Sequence, residues 1–376
     1  MSIEPLPPLQ VGHRMDLLRE RLDSSGVDAL VVTNLANVRY LTGFSGSAGV
    51  LVVTPDRALL TTDGRYRTQS AEQVEGAGAG RVVEIEIGGV QAQRDAARAV
   101  LTGAAVRRAG LEAESVTWEG SRRWTELLEG VEVLPTTGLV EGLREVKDRA
   151  ELARMERAAA IADQALGEVL PLLASAGSQP ITEEQFALAL DSAMRRGGAE
   201  GVAFETIVAA GPNSAKPHHR PSGREILVGD PVVVDFGALF EGYRSDMTRT
   251  FCVGGEPQGD LARVFEVVRV SQADGVTAVG PGVGAKAVDE ACREVIAAAG
   301  WADAFEHGTG HGVGLDIHEA PTVSPLGTAI LAPGVVVTVE PGVYLPGIGG
   351  VRIEDTLVVT EDGSRPLTHF TKDVAA

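Results

Sequence analysis

The chain is short of cysteine, short of positive charge and without any long apolar run. Cys252 and Cys292 are the only cysteines among 376 residues, too few for a disulfide scaffold and consistent with a reducing compartment. Neither is called on by the chemistry below, so both read as small buried hydrophobes. Lysine and arginine number 33 against 52 acidic residues, a net charge of −19. That balance argues against nucleic acid and against anionic membrane surfaces, since either needs a basic patch. No stretch approaches the ~18 apolar residues of a membrane span. The N-terminal segment mixes prolines with Glu4, Arg14, Asp16, Arg19 and Glu20, which is not the pattern of a signal peptide or anchor. A cytoplasmic protein is expected.

With 44% hydrophobic and 23% charged residues the chain is globular, and its length suggests two domains at ~150 residues each. In the first, residues 12–25 read as an amphipathic helix ended by Gly26, and Val27 to Thr33 as a buried strand. Asn37 to Asp63 reads as further strands, with turns at Gly43-Phe44-Ser45-Gly46 and Pro55-Asp56. Helices near 66–75, 90–102 and 119–129 alternate with strands and give an α/β domain. It contains neither GxSxG nor GxxxxGK[ST], so no nucleophile elbow or phosphate loop is placed there. The domains are expected at 1–145 and 146–376.

The second domain opens with two capping-box helices, at Asp148 (D-R-A-E) and Thr182 (T-E-E-Q). A strand pair follows, in PVVVDFGALFEGYRSDMTRTFCV, residues 231–253. The Glu241-Gly242 turn pairs 240 with 243, and hence 237 with 246. Asp235 and Asp246 then point the same way as diagonal neighbours, roughly 7 to 8 Å apart at Cβ. A buried carboxylate must be paired or bound to a cation. The plan recurs: helices from about Asp260 to Val279 and from about Lys286 to Gly300, then a second strand pair, Val335 to Glu340 with Val351 to Val359, carrying Glu340 and Glu354. Two halves that each offer two acids suggest an internal two-fold around one shared site.

Between the acid hairpins lies HGTGHGVGLDIHE, holding His307, His311 and His318. Residues in apolar or glycine-rich strand contexts give five ligand candidates: Asp235, Asp246, His311, Glu340 and Glu354. Four carboxylates balance two divalent cations, and a set dominated by oxygen with no thiolate puts Mn²⁺ first, then Co²⁺ or Zn²⁺. Two such ions suit the hydrolysis of an amide. Blander readings exist for each piece: the glycines at 308, 310, 312 and 314 as a phosphate loop, His311 as an ordinary core histidine, Arg352 as a plain ion pair, and Lys216 to Pro221 as a solvated basic loop.

The segments FETIVAAGPNSAKPHHRPS, VVVDFG, SDMTRTF, HGTGHGVGLDIHEAP, TVEPGVY and VRIEDT resemble the pita-bread metallopeptidases of the M24 type, the group of aminopeptidase P, prolidase and methionine aminopeptidase. NVRYLTGFSGS with TDGRYRTQ resembles the creatinase-like N-terminal domain of the aminopeptidase P and prolidase branch. The resemblance implies an α/β (α+β) fold, with a pita-bread (creatinase/aminopeptidase) catalytic domain and a smaller α/β N-terminal domain. It implies that Asp235 chelates one ion, that Asp246 and Glu354 bridge two, and that His311 and Glu340 complete the second. Glu340 would also take a proton from water. His218 would contact substrate, with His219 at a variable position; His318 would contact the scissile amide, and Arg352 would orient the ligand acids. A homodimer is implied as well.

By the same resemblance, the N-terminal domain points to proline-containing peptides cut at an Xaa-Pro bond. Proline lacks an N–H and has a fixed φ, so its peptides cannot pair with a protease as ordinary strands do. No Arg or Lys lies between His318 and Glu340, Thr322 following Glu-Ala-Pro, so no cation there would hold a dipeptide's carboxylate. Xaa-Pro aminopeptidase is therefore expected, with Xaa-Pro dipeptidase as the alternative. A non-catalytic peptide-binding module and a metal-free creatinase-like amidinohydrolase are the remaining readings, and the retained ligand set argues against both.

Overall fold

The computed structural model describes residues 6–103, 106–373 and 375, which form two compact units, Met1–Arg144 and Glu145–Ala376. In the first, strands at Ala29–Val32, Val50–Val53, Ala58–Thr62, Glu84–Ile87, Arg108–Glu112 and Glu132–Thr136 form one mixed sheet. Ala29–Val32 lies centrally, antiparallel to Val50–Val53 and parallel to Arg108–Glu112. All four of its residues are buried, as the continuous apolar run requires. Helices Arg67–Gly76, Val90–Gly103 and Trp118–Leu127 alternate with the strands.

One reading of this unit is corrected. Residues 37–42, expected to open a run of strands, belong instead to the helix Leu35–Thr42. Its Val, Tyr and Thr favour strands in isolation, but Asn34 accepts hydrogen bonds from the Ala36 and Asn37 amides as an N-cap. Gly43 ends the helix at φ 78°. Val38 and Leu41 are fully buried, so three-residue spacing and two caps outweigh propensity.

The second unit begins with helices Arg149–Ala174 and Glu183–Arg196, each carrying the expected capping box, on Asp148 with Glu151 and on Thr182 with Gln185. They cover one core with the first strand pair, including Phe186, Leu190, Val232, Val234, Phe236 and Phe251. Helices Gly259–Ala278 and Ala285–Ala298 cover a second core, including Val268, Val288, Ile296, Val337, Val339 and Leu357. Each fully buried side chain of this kind contributes roughly 1.5–3 kcal/mol. Among the described residues no helix is long and apolar enough to cross a membrane.

Both acid hairpins keep one register along their length, yet each is broken in the middle. In the first, Phe240 faces Tyr243 across a turn in which Glu241 (φ 44°) and Gly242 (φ 81°) both adopt positive φ. The same register continues as Met247 opposite Phe236 and Thr248 opposite Asp235. Between these stretches the strands separate into two sheets. At the break, a Cβ on Gly237 would lie 1.9 Å from the Ser245 carbonyl oxygen, so only glycine fits. In the second, Val339 faces Asp355 and Gly342 faces Arg352, again one register in two sheets. The sequence suggested a single pairing of Val335 to Glu340 with Val351 to Val359; the ladder divides at Pro341, which has no N–H to donate. The acids Asp235, Asp246, Glu340 and Glu354 all sit at or beside these breaks, where a side chain leaves the regular alternation.

Candidate metal centre

All eight residues singled out from the sequence line one cavity of about 370 Å³: His218, Asp235, Asp246, His311, His318, Glu340, Arg352 and Glu354. Ligand atoms of Asp235, Asp246 and Glu354 lie within 4.8 Å of one another. The His311 Nε2 is 3.6 Å from Asp246 Oδ2 and 3.4 Å from Glu340 Oε1. Its other nitrogen, Nδ1, is 3.0 Å from the Gly312 carbonyl and so carries the hydrogen. The Nε2 lone pair is thereby aimed at the acids, the arrangement a metal-binding imidazole needs.

His311 reaches this place on the short strand Gly310–Gly312. A Cβ on Gly310 would fall 2.0 Å from the Thr338 carbonyl oxygen. The glycines of this stretch therefore permit strands to approach closely, and they are not a phosphate loop.

The acids are held from behind by a small set of donors. Arg352 places Nη2 2.6 Å from Asp235 Oδ2, Nη1 2.8 Å from the Tyr344 hydroxyl and Nε 3.1 Å from Thr248 Oγ1. Thr248 donates in turn to Glu354 Oε2 at 2.7 Å. Thr338 Oγ1 donates to Glu340 Oε1 at 3.3 Å. Buried Arg249 bonds the carbonyl of Glu354 and, at 2.9 Å, the carboxylate of Asp355, fixing the strand that brings Glu354 in.

One guanidinium against four carboxylates leaves the cluster short of positive charge. Burial, and then the neighbouring acids, push Asp246 and Glu354 well above the usual carboxylate range. Burial brings Glu340 to about 8, with Arg352 opposing it. Burial by itself would lower the Arg352 pKa, but Tyr344, Asp235 and Glu340 hold it well above its ordinary value. Two deeply buried carboxylate oxygens, Asp235 Oδ1 and Glu354 Oε1, have no hydrogen-bond partner among the described residues. Orphaned acceptors beside a lone pair from His311 fit a cation, and hard divalent ions suit this donor set.

The remaining walls divide into polar and apolar. His218 and His318 are both exposed at the cavity, and the His318 ring packs edge-on against His311 at 4.4 Å. Phe204, Ile207, Pro217 and Ile317 supply an apolar side. The sequence reading gave no role to His307, Tyr344 or Thr248. His307 lines the cavity, and with its Nδ1 hydrogen facing the Gly308 carbonyl at 2.8 Å its Nε2 accepts from the Tyr344 hydroxyl at 2.9 Å. Burial, followed by the Arg352 charge, lowers its pKa to about 4, so it stays neutral. Its spacing four residues before His311 in a glycine-rich strand context was the available signal.

Residues 153–361 match metallopeptidase family M24, and residues 14–146 match the creatinase/prolidase N-terminal domain. The chain is 41% identical over 361 residues to the uncharacterized peptidase YqhT of Bacillus subtilis, covering 96% of this chain and 99% of that one. The structure of an Xaa-Pro dipeptidase from Bacillus anthracis superposes with a TM-score of 0.90 at 36% identity, covering 97% of this chain and 99% of that one. An X-Pro aminopeptidase from Thermotoga maritima superposes with a TM-score of 0.85 at 32% identity, covering 96% and 99%.

Proposed function

We propose, for a chain that belongs to metallopeptidase family M24, that it hydrolyses Xaa-Pro bonds and removes the N-terminal residue from peptides with proline at the second position. Xaa-Pro dipeptide hydrolysis is the alternative, and the B. anthracis relative bears that name. One observation favours the longer substrate. Among the described residues, Arg352 is the only Arg or Lys lining the cavity, and it is already engaged by Asp235, Tyr344 and Thr248. A dipeptide carries its carboxylate next to the scissile bond and needs a free cation there; a longer peptide does not.

Asp235, Asp246, His311, Glu340 and Glu354 would hold two divalent ions, manganese first. Ions of this kind, when bound, supply Lewis acidity toward a carbonyl and lower the pKa of water. The protein's own groups do the rest. Glu340 takes and returns a proton at its carboxylate. His218 and His318 donate to substrate oxygens from two sides, Arg352 keeps Asp235 in place, and Phe204, Ile207, Pro217 and Ile317 suit a pyrrolidine ring.

The test compares Xaa-Pro dipeptides, Xaa-Pro-Yaa tripeptides and longer peptides, with purified protein plus Mn²⁺ and after chelation. Cleavage of the longer peptides establishes the aminopeptidase, and cleavage of dipeptides alone establishes the dipeptidase. No metal-dependent cleavage of either would leave a binding module.

A further inference from the structure

His218 has no hydrogen bond from its own side chain among the described residues, although it lines the cavity. Its position is therefore set by the loop that carries it, which runs from the end of strand Ile207–Ala210 to Ser222. Both ends of that loop converge on one side chain. Glu183, the first residue of helix Glu183–Arg196, is fully buried. Its Oε1 accepts from the Ala210 amide at 2.8 Å and the Asn213 side-chain amide at 3.0 Å, on the near side of the loop. Its Oε2 accepts from the Ser222 amide at 3.0 Å and the Ser222 hydroxyl at 2.6 Å, and faces His219 Nε2 at 2.8 Å, on the far side.

From this geometry we infer that Glu183 is a positioning residue for the reaction, a carboxylate that staples residues 210 and 222 together and so fixes His218 at the cavity. The inference rests on the reading of His218 as a substrate contact. Burial alone would raise the Glu183 pKa, but the Ser222, Ala210, His219 and Asn213 donors bring it below the usual range, so the staple is anionic. On the opposite side the same loop is held through the Pro217 carbonyl, which accepts from Arg352 Nη1 at 3.3 Å. Glutamine at 183 would keep the volume but turn one acceptor into a donor, which would release one end of the loop.

The experiment is a double-mutant cycle with hydrogen exchange alongside. Glu183→Gln should lower kcat/KM on an Xaa-Pro peptide by about 10- to 100-fold, since a misplacement of about 1 Å at the reacting groups can cost about 100-fold, with metal content unchanged. In a His218→Ala background the same substitution should change kcat/KM by under about twofold, because the residue it positions is gone. Amide exchange in residues 210–222 should be faster in Glu183→Gln than in the wild type, with or without metal. If Glu183→Gln does not fold, Ser222→Ala removes a single donor and should show the same coupling at smaller size. Equal losses in both backgrounds, or unchanged exchange, would overturn the inference. Exchange is read without turnover, so a wild type inactive on every Xaa-Pro peptide would sink the peptidase reading while the staple is still decided.

Discussion

Replacing Lys147 with methionine would remove one half of a buried ion pair. Lys147 Nζ lies 3.1 Å from Glu319 Oε2, with the side chains only 1% and 7% exposed. Glu319 Oε1 also accepts from the Asp316 amide at 2.9 Å, so the pair holds the turn that ends at His318. Methionine keeps the length of the apolar stem and takes away the carboxylate's ammonium partner. Breaking a buried pair from one side costs about 3–5 kcal/mol, because the partner's charge is left uncompensated. For a unit of about 230 residues, each kcal/mol moves Tm by about 2–4 °C, so a fall of about 6–20 °C is expected. Denaturant unfolding, thermal unfolding and kcat/KM would be measured for Lys147→Met, Glu319→Gln and the double variant. The double variant should recover more than half of the loss, since both charges leave together. If Lys147→Met costs less than about 1 kcal/mol, as exposed pairs do, or if the two losses simply add, the ion pair does not hold this turn.

Other consequences of the site can be checked in the same preparation. Asp246→Ala or Glu354→Ala should abolish turnover and lower the bound metal measured by elemental analysis; near-normal rates in a metal-verified variant would sink the assignment of both residues as shared ligands. His318→Ala should lower turnover with metal content unchanged, and a loss of metal would instead move His318 among the ligands. The metal-free protein should lose stability as pH rises. Glu340 goes from an ordinary 4.5 to about 8 in the fold, so between those values the native state binds more protons than the unfolded chain. Its contribution is fully present below about pH 4.5 and is lost as pH passes 8, at up to about 1.4 kcal/mol per pH unit. Burial shifts Asp246 and Glu354 in the same direction. Urea midpoints after chelation from pH 5 to 8.5 measure this, and stability that rises across that range would contradict it.

What the sequence made legible was local. Asp148 with Glu151 and Thr182 with Gln185 announce their helices because a capping box satisfies its donors within four residues. The Glu241-Gly242 turn sets the first hairpin's register, which holds to the end of the strand, Cys252 opposite Pro231. The strand expectation fails at residues 37–42 because β-branched and aromatic residues there favour a strand locally, while the Asn34 cap decides for a helix. The break in the second hairpin had a signal in Pro341, whose missing N–H ends the ladder, and the break in the first had one in Gly237. Neither residue says where the freed acid will point. That depends on Arg352, Thr248 and Tyr344, and the bond from Arg352 to Asp235 spans 117 residues.

The site draws on two kinds of support, and they differ in how much the sequence could reveal. The five candidate metal ligands lie on or next to strands whose backbone ladders already fix them, so hairpin pattern and residue type were enough to find them. His218 and His318 lie on irregular chain, where no ladder restrains the backbone and function is common. Contact with a substrate oxygen tolerates errors of only about 0.5 Å, so such residues need anchors of their own. Each loop has a buried anchor near the start of one of the first two helices of the unit, beside any bond it shares with the metal cluster's own support, as the Pro217 carbonyl does with Arg352. Glu183 gathers the donors around His218, and Lys147, just before the Asp148 cap, reaches Glu319 beside His318. Glu183 is invisible to a search for catalytic patterns because a charged residue in a first helical turn is explained by the helix dipole alone. Its burial and its five polar contacts, to four residues, are what set it apart. Loosening either anchor should therefore impair substrate contacts while sparing the metal cluster, and a variant of Glu183 or Lys147 that lost metal first would show that strands and loops are not supported separately.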